Sequence, residues 1–93
     1  MEKKIYLDNA ATTKTRPEVV EEMLPYFTEL YGNPSSIYEF SAQVKRGIDE
    51  ARAKVAKVIG AESSEIFFTG GGTEADNWAL KAVAEVYASK GNH

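Results

Sequence analysis

The chain has 93 residues, a length that suits one small domain or a piece of a larger one. Apolar residues make up 43% and charged residues 27%, which excludes a disordered chain, and 14 acidic against 11 basic side chains (net charge −3) argue against a nucleic-acid binder. Cysteine is absent and the single histidine, His93, is the last residue, so disulfides, thiolate chemistry, a histidine metal site and a Ser-His-Asp triad are excluded for the chain as it stands.

Residues 4–7 (KIYL) predict a short strand. Ile5 to Leu7 is too short an apolar run for a signal peptide. No stretch approaches the ~18 apolar residues of a membrane span. A soluble, cytoplasmic protein without membrane contact is therefore expected. Residues 8–16 are polar and rich in Ala and Thr, and read as irregular. Pro17 suits a first helical turn, where its missing N–H is not needed, and Glu18, Glu21 and Glu22 suit the positive end of the helix dipole. Pro25 should kink or end that helix.

Residues 32–36 (GNPSS) read as a loop. A long helix is predicted from Glu39 to Ile59, with Val44, Ile48, Ala51, Val55 and Val58 at helical spacing and Gly60 as its stop. Residues 65–69 (EIFFT) predict a second short strand, residues 70–72 a glycine turn, and Thr73 the opening of a third helix that runs to about Lys90. In that helix Asn77, Lys81, Glu85 and Ser89 form a narrow polar stripe, and apolar residues cover the rest. Such a helix is normally buried on most sides. Ile66, Phe67 and Phe68 do not alternate with polar residues, as in a strand covered on both faces. Both features lead us to expect an incomplete α/β unit, with a compact α+β domain carrying a sticky surface as the plainer alternative.

The strand–glycine turn–helix arrangement is one that binds anions. The first amides of a helix lack partners and the dipole adds positive charge. Gly70, Gly71 and Gly72 would let a phosphate come close, and Thr73 offers a cap and a hydroxyl. The pattern is neither a P-loop, since Glu74 follows Thr73, nor a GxGxxG turn, since Asp76 falls where the last glycine would. Glu74 and Asp76 oppose a polyphosphate unless they point away, so a single phosphate is the better guest. An ordinary glycine-rich connection with a threonine cap fits the same spacing, and both readings stand. The other candidates are Asp8 and Asn9 at a strand end, and the 33–36 segment that begins with Asn33. Asp8 and Asn9 read first as a polar strand end or turn, and the 33–36 segment equally well as a turn leading into the next helix. Tyr31, Tyr38 and Phe40 read as packing residues, Lys14 and Arg16 as solvated cations, and His93 receives no role.

Four segments carry a resemblance: YLDNAATT from Tyr6, YGNPSS from Tyr31, EARAKVAKVIGA from Glu50 and EIFFTGGGTEADNWALK from Glu65. In order and spacing the chain resembles, along its whole length, the N-terminal part of cysteine desulfurases of the NifS/IscS type. The resemblance implies the fold type I pyridoxal-phosphate enzymes of the class V aminotransferase group. Residues 1–93 would be an incomplete N-terminal portion of the α/β large domain, with three main helices and two short strands. It further implies a homodimer that takes sulfur from L-cysteine, leaves alanine, and holds the sulfur as a persulfide for iron–sulfur cluster assembly or another sulfur acceptor or scaffold protein.

In the family the turn equivalent to Gly71, Gly72 and Thr73 holds the phosphate of pyridoxal 5'-phosphate. Gly72 and Thr73 are the implied cofactor-binding residues, with Gly72 where the family often has Ala. The family's cofactor-linking lysine, stacking histidine, ring-nitrogen aspartate and persulfide cysteine all fall beyond residue 93, so no catalytic and no metal-ligating residue is expected in this chain, and the chain alone should be inactive. Ile37-Tyr38 and Phe40-Ser41 depart from the family pattern and put any substrate contact there in doubt. Two other readings compete: a different class V enzyme such as a selenocysteine lyase, and a non-catalytic anion-binding module.

Overall fold

The computed structural model describes residues 3–91. His93 lies outside them. The chain divides into two compact units between Asp49 and Glu50. The first holds α1 (Pro17–Met23), α2 (Pro25–Thr28) and the opening turns of α3 (Glu39–Ile59). The second holds the rest of α3, a 3-10 turn at Ser63–Glu65 and α4 (Gly72–Val86).

In the first unit Pro17 starts α1 as expected, after an extended Arg16 that makes no side-chain cap. Arg16 is not merely solvated: its guanidinium pairs with Glu18 at 2.6 Å, an exposed pair that contributes little to stability. Lys14 is exposed. Pro25 divides the first helical stretch in two. It has no N–H to continue the α1 ladder, so α1 closes with the Leu24 amide on the Val20 carbonyl at 3.0 Å, and α2 begins at Pro25 itself. The amides of Glu29 and Leu30 both end on the Pro25 carbonyl, at 2.8 and 2.7 Å.

The long helix α3 runs from Glu39 to Ile59, the predicted bounds. Its buried row differs from the predicted stripe in its second half. Ser41 and Val44 are buried and Ile48 is half-buried, but the row continues through Arg52 to Ala56, while Val55 is 42% and Val58 85% exposed. From Val44 onward covered positions advance by four residues at a time, and each such step turns the row by about 40° on a 3.6-residue helix. Gly60 ends α3 in the left-handed region at φ 71°. The Ala61 amide reaches back to the Ala56 carbonyl at 2.8 Å and the Gly60 amide to Lys57 at 3.4 Å. This pair of bonds satisfies carbonyls that the last turn leaves open.

Neither predicted strand forms among the described residues. Residues 4–7 and 66–69 carry no ladder, because a strand exists only with a partner to receive its backbone bonds. In residues 66–69 one carbonyl is served differently: the Arg52 Nε donates to the Ile66 oxygen at 3.2 Å. The same guanidinium stands 5.3 Å from the centre of the Phe68 ring. Phe67 meets Trp78 of α4 at 5.2 Å between centroids with the planes tilted by 59°, a pairing worth about 0.5–1.5 kcal/mol beyond its area.

Helix α4 begins one residue earlier than predicted and ends at Val86 rather than near Lys90. The chain then turns, with the Tyr87 amide on Val83 at 3.0 Å and the Lys90 amide on Tyr87 at 2.9 Å. Its apolar residues remain exposed: Trp78 49%, Leu80 73%, Val83 58% and Val86 72%. Among the described residues no helix is long and apolar enough to cross a membrane.

Two outcomes follow. A side chain at position 60 meets nothing within 4 Å, so Gly60→Ala costs only backbone conformation, about 1–2 kcal/mol. In a protein that carries this segment, thermal melting should show the loss, and Gly60→Asn should lose less because asparagine tolerates the left-handed region. The 93-residue chain made alone should bind a hydrophobic dye and lack a sharp melt, because its apolar faces stay open to water. A cooperative melt without dye binding would contradict this.

Candidate anion site at the start of the last helix

The turn before α4 is built from three bonds. The Thr69 Oγ donates to the Gly71 carbonyl at 3.0 Å. The Gly70 amide donates to the Glu74 carboxylate at 2.7 Å. The Ala75 amide, the first donor of the helical ladder, meets the same Gly71 carbonyl at 3.2 Å. The amides of Gly72, Thr73 and Glu74 therefore precede the ladder, and they are the donors that a helix start leaves open. Gly71 is the N-cap residue and has no side chain to cover them. Thr73 is thus not the cap that the sequence suggests. It sits inside the first turn, with its backbone carbonyl taken by the Asn77 side-chain amide at 2.8 Å.

What glycine contributes here is room. Gly71 is extended (φ 166°, ψ 176°), a conformation open to any residue. A Cβ built on Gly71 or on Gly72 would meet nothing within 4 Å. Open donors, a positive dipole end and unfilled space above the backbone fit a phosphate group. Of the two acids that oppose an anion, Glu74 is already engaged by Gly70, and Asp76 is exposed on the helix. A Cβ on Gly70 would lie 3.2 Å from the Glu74 carboxylate, so that position is tighter than its two neighbours. Beside the turn, Thr69, Ala75, Trp78, Ala79, Ala82 and Val83 line an open, mainly apolar groove with Phe67.

The remaining candidates resolve into local structure. Asp8 and Asn9 are exposed in a turn closed by the Ala11 amide on the Asp8 carbonyl at 3.1 Å. Asn33 caps its own turn. Its Oδ1 accepts from the Ser35 amide at 2.9 Å, and its carbonyl accepts from Ser36 at 3.0 Å. Tyr31 and Phe40 pack edge to face at 5.1 Å, while Tyr38 is 71% exposed. Among the described residues there is no group of three or more acidic, histidine or cysteine side chains suited to a metal ion. Sequence reasoning missed Arg52, and it read Glu74 only as a charge near the turn and not as the acceptor of the Gly70 amide.

Comparison with known proteins agrees along the whole chain. The family described as Aminotransferase class-V matches residues 5–93. The cysteine desulfurase IscS of Clostridium botulinum (strain Kyoto / Type A2) is 58% identical over 93 residues, covering 100% of this chain and 23% of that protein. The cysteine desulfurase IscS of Methanosarcina thermophila is 57% identical over 91 residues, covering 98% of this chain and 22% of the relative. A NifS-like protein of known structure superposes with a TM-score of 0.87 at 45% identity, covering 94% of this chain and 24% of that one. The chain thus spans about a quarter of the length of the proteins it matches, and shares its fold with that quarter of the NifS-like protein. With a family match over nearly every residue, the chain belongs to the class V aminotransferases.

Proposed function

We propose that residues 1–93 are the N-terminal portion of a pyridoxal-phosphate-dependent cysteine desulfurase, and that Gly72 and Thr73 hold the cofactor's phosphate. The observation that carries this reading is the uncapped, side-chain-free start of α4, in a chain 58% identical to a cysteine desulfurase. The Gly72 and Thr73 amides and the Thr73 hydroxyl would bind the phosphate and orient the cofactor from one end. Bound there, pyridoxal phosphate supplies an electron sink for bond changes at the amino acid's α-carbon. This chain's own part is binding and orientation. All eight of its lysines (3, 4, 14, 45, 54, 57, 81 and 90) are exposed, and the groups that react would come from the remainder of the protein. On this reading the whole enzyme is a cytoplasmic homodimer. It converts L-cysteine to L-alanine and passes the sulfur, as a persulfide, to an acceptor or scaffold protein.

The activity is tested with the full-length protein carrying this chain. With an added thiol to reduce the persulfide, it should release sulfide and alanine in equal amounts from L-cysteine, whereas the 93-residue chain with added cofactor and the same thiol should stay at the free-cofactor background. A full-length protein without cysteine-dependent sulfide release would overturn the proposal.

The phosphate site has its own test. Thr73→Ala removes a hydroxyl bond to a charged group, worth about 1.5–3 kcal/mol. Titration of the apo full-length protein with pyridoxal phosphate, followed by absorbance, should show affinity about ten- to a hundredfold lower. Thr73→Ser should keep most of it. Gly72→Val should lose more, and since a Cβ at 72 meets nothing within 4 Å in this chain, an unchanged melting temperature should accompany the lost affinity. Unchanged affinity in both Thr73→Ala and Gly72→Val rules out this turn.

A further inference from the structure

We propose that Glu74 is a positioning residue that fastens the glycine turn in its anion-receiving form, an inference that rests on the phosphate site proposed above. Its carboxylate accepts the Gly70 amide at 2.7 Å, four residues back along the chain. An acid in the first helical turn commonly reaches back to the N-cap amide. Here the N-cap is Gly71, and Glu74 reaches one residue further, to Gly70.

The difference has two effects. First, three consecutive glycines have more backbone freedom than any other run of three residues, and ordering them on binding lowers affinity. The Glu74 bond fixes the first of the three, while the Thr69 hydroxyl and the Ala75 amide fix the carbonyl of the second. The third then enters the helix with its amide open. Second, the bond ties the negative charge to the amide of Gly70, the first residue of the turn, so that the carboxylate has a partner there. An acid that would repel a phosphate thereby preorganises the site that receives one.

The test uses apo full-length protein carrying this chain, titrated with pyridoxal phosphate and separately with inorganic phosphate as competitor. Glu74→Ala should weaken both ligands about three- to tenfold, the range for loss of one ordering bond. Glu74→Gln keeps an oxygen acceptor for Gly70 and should stay within about twofold of the parent. In the ligand-free protein, exchange of the Gly70 amide hydrogen should accelerate in Glu74→Ala and not in Glu74→Gln. Tighter binding in both variants would mean that the carboxylate only repels the anion, and would overturn the inference. Unchanged binding in Glu74→Ala would also overturn it. If Thr73→Ala and Gly72→Val fail to weaken binding, it is the phosphate site itself that falls. If they weaken it and Glu74→Ala does not, the fault lies with the role given to Glu74.

Discussion

Every backbone amide and carbonyl that leaves water must find a partner, and in this chain the places where regular ladders stop decide what the rest of the structure does. At the end of α3 the problem is solved internally: Gly60 turns left-handed and Ala61 reaches back to Ala56. At residue 66 it is solved by a side chain, with Arg52 covering one carbonyl of a segment that has no strand beside it among the described residues. At the start of α4 it is left open, because Gly71 provides no cap and the amides of Gly72 and Thr73 precede the first helical bond. The starts of α1 and α2 also lack a side-chain cap, and what sets α4 apart is the glycine run with open space above Gly71 and Gly72.

Side-chain packing tells a complementary story. Val44, Ala56 and Ser41 are the buried side chains among the described residues, and large apolar groups such as Ile37, Val58 and Leu80 face outward. The aromatic pairs Tyr31–Phe40 and Phe67–Trp78 bring order locally without forming a core. The chain spans about a quarter of its relatives' length, and these faces stay exposed in it.

Helices were legible because their signals are local. Pro17, Pro25, the run from Glu39 to Ile59 and Gly60 each act within a few residues, and each element falls at or near its expected place. The two strands were not realised because a strand depends on a neighbour, and hydropathy at 65–69 reports burial without naming what does the burying. The buried row of α3 was half legible. Its first half follows the apolar residues, but Arg52 enters the second half through its bonds to residues 66–68, which no hydropathy pattern anticipates. Glycine and threonine at 70–73 marked the candidate site directly. The acid that braces it was read only as a charge, because its bond to Gly70 needs the geometry of the turn.

The Arg52 contact with Ile66 bears on the order in which the second unit forms. It joins residues 14 positions apart, whereas the helical and turn bonds span three to five. Helical turns relax in about a microsecond or less, and closing a ten-residue loop takes roughly 10–100 ns. The stretch from α3 to the glycine turn can thus assemble early and without distant help, as chains with low contact order do. The apolar sides of α4, with Leu80 73% and Val86 72% exposed, are then the part of this unit most open to wrong partners.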